Sequence, residues 1–167
     1  MKNMVLAAVA AASAFATGGC ATVLNGTNVD YTTETRPDGA TAKFTSGQEC
    51  KTPCTLEMKR KTDQRVDLFA AGYKPTYVLI QSKLGGGSFG NILLGGGIGA
   101  VVDGTNGSSN RLYPRPLIVQ LAREGTSDEA VLLDEKGTVV STVQAHNDSV
   151  RLDVAKTIGP KLAGLED

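Results

Sequence analysis

The sequence predicts a mainly β fold, a small antiparallel β-sandwich, and three features of the 167-residue chain point to it. Short runs rich in Thr, Val and aromatic residues follow one another from Val29 onward. Turn residues separate them at intervals of roughly 8–12 residues, the spacing of sandwiches and barrels. Several runs alternate apolar and polar side chains, the pattern of a strand with one buried face. The length suggests one domain. Hydrophobic residues make up 41% and charged residues 20%, an ordinary globular balance. Lys plus Arg, 17, equals Asp plus Glu, 17, so there is no overall positive field for nucleic acid, and no such partner is expected.

The elements follow in order. Residues 29–35 (VDYTTET) read as a strand, and Pro37-Asp38-Gly39 as a turn in which Pro pre-sets φ and Gly accepts φ > 0. Residues 41–45 (TAKFT) form a second strand, and residues 55–59 (TLEMK) place Leu56 and Met58 on one side. The polar stretch 59–64 is a turn. Residues 66–70 (VDLFA) carry Val66 and Leu68 in phase, Gly72 turns the chain, and residues 76–81 (TYVLIQ) are the most apolar strand. After a glycine-rich insert over 84–110, Tyr113-Pro114-Arg115-Pro116 is extended, because Pro disfavours helix before it. Residues 117–122 (LIVQLA), within a segment 111–123, read as a buried strand that closes the sheet. In 124–167 a hairpin over 130–134 and 138–144 is expected, then a helix capped by Asn147 or Asp148. Val150, Val154, Ile158 and Leu162 would share one face of that helix, and Gly159-Pro160 would interrupt it.

The first residues read as an address. One Lys precedes an uncharged run over residues 4–16, which fits a signal-peptide core and is too short to span a bilayer. Thr17-Gly18-Gly19 directly before Cys20 resembles a lipobox, with Thr17 where Leu, Val or Ile is usual. The resemblance implies a signal peptide over 1–19, diacylation of the Cys20 thiol, and a tether over 20–28. Ala14-Phe15-Ala16 offers a second cleavage site that would release a soluble chain. The cysteines number three. With lipid on Cys20, Cys50 and Cys54 remain as an even pair in an oxidising compartment, either bridged across a turn or separately reduced. Ala21-Thr22 follow Cys20, and by resemblance to enterobacterial sorting the absence of Asp there implies the outer membrane.

Three further motifs occur in order. Pro37-Asp38-Gly39-Ala40, Thr52-Pro53-Cys54 and Gly72-Tyr73-Lys74-Pro75 resemble the P-E-G-A, T-P-x and G-Y-x-P motifs of PEGA domains, with Asp38 in place of Glu. The resemblance covers 29–83 and implies a small antiparallel sandwich of envelope and surface proteins, with no catalytic residues.

The insert contains Gly85-x-Gly87-x-x-Gly90, but no second βα unit follows, and Asp103 lies too close for a dinucleotide fingerprint. Gly87, Asn91, Gly95, Gly99 and Asp103 recur every four residues, which would line small groups along one helix face. The apolar stretch 89–102 would be about 21 Å long as a helix, short of the ~30 Å hydrocarbon core. It is expected either to pack on the protein's own sheet or to contact a membrane, a protein partner or copies of itself.

Little chemistry is legible. His146 is the sole histidine and reads as a solvent-facing residue at a helix start. Cys50, Cys54 and His146 lack the number and spacing of a zinc set. No G-x-S-x-G elbow, calcium loop or paired carboxylates occur. No metal or cofactor is expected. The sequence therefore points to a membrane-tethered, non-catalytic envelope protein at the outer membrane, facing the periplasm. The alternatives are a soluble periplasmic binding module and an envelope hydrolase built around His146.

Overall fold

β1 (Asn28–Arg36) sets the architecture, because its alternation is strict. Val29, Tyr31, Thr33 and Thr35 are buried, while Asn28, Asp30 and Arg36 are exposed. The computed structural model describes residues 26–84 and 110–166. In it the chain forms two five-stranded sheets packed as a sandwich, with a helix at the C-terminal side. The strands after β1 are β2 (Thr41–Phe44), β3 (Glu49–Lys51), β4 (Cys54–Lys59), β5 (Gln64–Phe69), β6 (Thr76–Leu84), β7 (Asn110–Tyr113), β8 (Leu117–Gln120), β9 (Val131–Leu133) and β10 (Val139–Thr142). One sheet has the order β10-β9-β8-β1-β4 and the other β3-β2-β5-β6-β7.

Strands from both sides of 84–110 build the two sheets. β7 pairs antiparallel with β6, and β8 then crosses to the other sheet and pairs parallel with β1. The remaining pairings are antiparallel. The segment 117–122 thus lies where the sequence predicts a closing strand, with Leu117 and Val119 in the core. The core also holds Tyr31, Phe44, Val66, Leu68, Val78, Ile80 and Leu112. Tyr31 meets Phe44 edge-on at 6.4 Å, and its hydroxyl donates to Pro114 O at 2.6 Å. A buried phenol needs such a partner.

The sequence reading is corrected at the C-terminal side. The helix α1 (Val143–Ile158) starts at Val143, not after Asn147 or Asp148. Thr142 is the cap, its hydroxyl accepting from the Ala145 N–H at 3.1 Å. Val150 and Val154 face inward as expected and pack on Leu79. Leu162 departs from that face and is exposed. The reason is Gly159, at φ 91°, which turns the chain into the short α2 (Pro160–Ala163).

Candidate functional site

The two ends of the sandwich differ in what they hold. At the far end lie all three motif segments. Gly39, at φ 87°, donates its N–H to Thr52 O at 2.7 Å, and the Thr52 N–H donates to Ala40 O at 2.9 Å. The Thr35 hydroxyl donates to Pro37 O at 2.7 Å, the Thr52 hydroxyl donates to Ala40 O at 3.4 Å, and the two hydroxyls are hydrogen-bonded to each other. The first two motifs are therefore one joint. The third is tied to the end of β8: the Lys74 N–H donates to Ala122 O and the Glu124 N–H to Gly72 O. Cys50 and Cys54 are joined as a disulfide beside this joint.

The near end gathers the start of β1, the β4–β5 turn, the end of β6 and the start of β7. Arg60 links them. Its N–H donates to Thr27 O and its Nε–H to Asn28 O. Its carbonyl accepts from the Ser82 hydroxyl at 2.6 Å, and Asn110 Nδ2 donates to Ser82 Oγ at 2.8 Å. Asp63 accepts from the Ser82 N–H at 2.6 Å. Burial raises the Asp63 pKa, against the lowering effect of the hydrogen bonds from Ser82 and Thr157, while the Asp153 charge adds to the rise. A groove of about 580 Å³ opens beside this junction, walled by Met58, Thr62, Asp63, Ile158 and Leu162 among others. A second groove of about 580 Å³ runs along β1 and β7, where Asp30 and Glu34 face Arg111 and Arg115.

His146 lines neither groove. Against the expectation of a solvent-facing residue, it is buried. The physical reason is the length of β7, which pairs with β6 only over 81–84 and leaves the strand uncovered at Tyr77 and Leu79. The first turns of α1 supply the missing partners. Asn147 accepts from the Leu79 N–H at 2.9 Å and donates to Tyr77 O at 2.8 Å. His146 Nε2 lies 2.8 Å from Leu79 O and, facing a carbonyl, carries the proton. The side chains thus act as a strand neighbour, which a buried edge requires. Burial lowers the His146 pKa below 6.5, the hydrogen bond to Leu79 opposes this, and the Lys83 charge lowers it further.

Cys20 and the proposed contact residues Gly87, Asn91, Gly95, Gly99 and Asp103 lie outside the described residues. The two segments that carry them join the described chain at the near end, at Gly26 on one side and at Leu84 and Asn110 on the other. Among the described residues no helix is long and apolar enough to cross a membrane, and no three His, Cys, Asp or Glu gather as a metal set. Comparison with protein-family models, curated proteins and solved structures finds no match for the chain. The near end was missed by sequence reasoning. Its one visible signal is the run Lys59-Arg60-Lys61, read as an ordinary polar turn.

Proposed function

We propose that this protein is a lipid-anchored envelope lipoprotein of the outer membrane, facing the periplasm, with a PEGA-like sandwich head that has a structural or interaction role and no catalytic one. The observation that carries the reading is the division of the cysteines. Cys50 and Cys54 form a pair, which suits an oxidising compartment and leaves Cys20 as the remaining thiol, directly behind a signal-peptide core. The PEGA-like reading draws support from the motif residues, which serve as backbone joints. The non-catalytic reading draws support from His146, whose Nε2 proton is committed to Leu79 O.

Labelling cells with palmitate tests the anchor. The wild type should take up label and Cys20→Ala should not. An unlabelled wild type would reject the anchor and favour a soluble periplasmic binding module. The segment 89–102 is proposed as a contact surface for a membrane, a partner or a second copy. Its deletion in the Cys20→Ala background should reduce membrane association or oligomer size, and no change in either would refute that role.

A further inference from the structure

The near end carries a cluster of cations that the fold, and not the sequence, assembles. Lys59 ends β4, and Arg60 and Lys61 begin the β4–β5 turn. Lys83 on β6 and Arg111 on β7 are directly paired across the strands. Like charges so placed repel and cost stability. Arg115 lies farther along, beside the middle of β1, and Arg111 and Arg115 both act on Arg60: after burial, their charges are what lower its pKa. The four ion pairs among the described residues are Lys43–Glu49, Arg65–Asp67, Arg151–Asp148 and Lys156–Asp153, and none involves this cluster. Asp63 is buried against Ser82, Glu57 accepts from Asn28, and Asp153 is paired with Lys156. Asp30, Glu34 and Glu135 share the β1 groove with Arg111 and Arg115 without forming an ion pair there, so the excess is greatest at Lys59, Arg60, Lys61 and Lys83. The chain as a whole has no net charge, so this is a local excess.

We propose that the near end, through Lys59, Arg60, Lys61, Lys83 and Arg111, is a docking surface for the anionic phospholipid headgroups of a membrane. Charge complementarity argues for it, and so does the position of the chain outside the described residues. Cys20 is six residues from Gly26, a reach of at most about 22 Å when fully extended. A head tethered that closely meets the membrane with the end at which the tether attaches. The apolar stretch 89–102 belongs to the connection between β6 and β7, which opens at the same end. Each cation near an anionic surface adds about 1 kcal/mol of attraction, screened by salt over a Debye length of about 8 Å. That the surface is a membrane rests on the lipoprotein reading; the electrostatics do not.

The test uses the exported Cys20→Ala chain, which carries no lipid. It is sedimented with vesicles of phosphatidylcholine alone or mixed with phosphatidylglycerol. Binding should occur on the mixed vesicles only and weaken with salt. The triple variant Lys61→Glu, Lys83→Glu, Arg111→Glu should bind at least tenfold more weakly with a Tm close to the parent's, since a Glu–Glu pair replaces the Lys83–Arg111 pair. The far-end variant Lys51→Glu, Lys74→Glu, Arg123→Glu should bind like the parent. Equal binding to both vesicle types, no binding, or equal losses from both triple variants would overturn the proposal. A saturable site for inorganic phosphate without vesicles would also overturn it. Palmitate labelling of the wild type is independent of these results, so the two readings fail separately.

Discussion

The far end of the sandwich is held by backbone and hydroxyl hydrogen bonds, whereas the near end combines backbone bonds with side-chain links through Arg60, Asp63, Gln64 and Ser82 and carries a group of cations. At the far end the Gly39, Thr52 and Gly72 segments exchange main-chain bonds of 2.7 to 3.0 Å. At the near end the β4–β5 turn closes with one long bond of 3.4 Å, from the Thr62 N–H to Lys59 O. The difference separates two tasks. The far end specifies the fold, and changes there should alter stability alone. The near end adds, at Lys61, Lys83 and Arg111, charge that forms no ion pair, and changes at these three should alter binding more than stability.

The largest expected effect comes from reversing three near-end charges. Each reversal removes one attraction of about 1 kcal/mol and adds a repulsion, so vesicle binding should drop by a factor of at least about 100. Thermal unfolding of the same variant should change little, because a Glu–Glu pair takes the place of the Lys83–Arg111 pair and the cross-strand repulsion persists with its sign reversed.

Next is the helix that closes the uncovered part of β6. Asn147→Ala strands the Leu79 N–H and Tyr77 O together, and should cost about 2–4 kcal/mol in urea unfolding. Asn147→Asp keeps the acceptor for Leu79 but loses the donor for Tyr77, and should fall between.

His146 predicts a pH dependence. Its folded pKa lies below 6.5, so the unfolded chain takes up a proton that the folded chain resists. This contribution to stability is complete above about pH 6.5 and is lost progressively as the pH falls below it. Urea midpoints between pH 7.5 and 5 should decline, and His146→Gln should flatten that slope.

Two hydroxyl substitutions sharpen the contrast at a smaller scale. Thr52→Val breaks the joint between the first two motifs and should cost roughly 1–2 kcal/mol without altering vesicle binding. Thr33→Val removes a fully buried hydroxyl that has no hydrogen-bond partner, and should stabilise the fold by up to about 1 kcal/mol.

Much of the sandwich was legible because β1, β2, β4, β5, β6 and β8 carry alternation or continuous apolar runs. β3 was not, since Glu49–Lys51 has three residues, two of them charged, and takes its identity from pairing with β2. β7 was hidden by polar composition and the two prolines that follow it. The helix start was misplaced because Asn147 and Asp148 look like caps in sequence. In the fold Thr142 caps, and Asn147 is consumed by the edge of β6. For the same reason His146 is buried, since only the strand register shows that β7 stops short. The cationic end depends on register too. Lys59-Arg60-Lys61 is visible as a run, but Lys83 and Arg111 meet it only through the β6–β7 pairing and the Ser82–Arg60 link.

The orientation of the head at a membrane tests the division between the two ends most directly. A fluorophore is placed on a cysteine introduced at Lys61 or at Asp38, in the lipidated chain bound to vesicles that carry a headgroup quencher. Strong quenching at Lys61 and weak quenching at Asp38 is the predicted result. Equal quenching at both positions, or stronger quenching at Asp38, would contradict it.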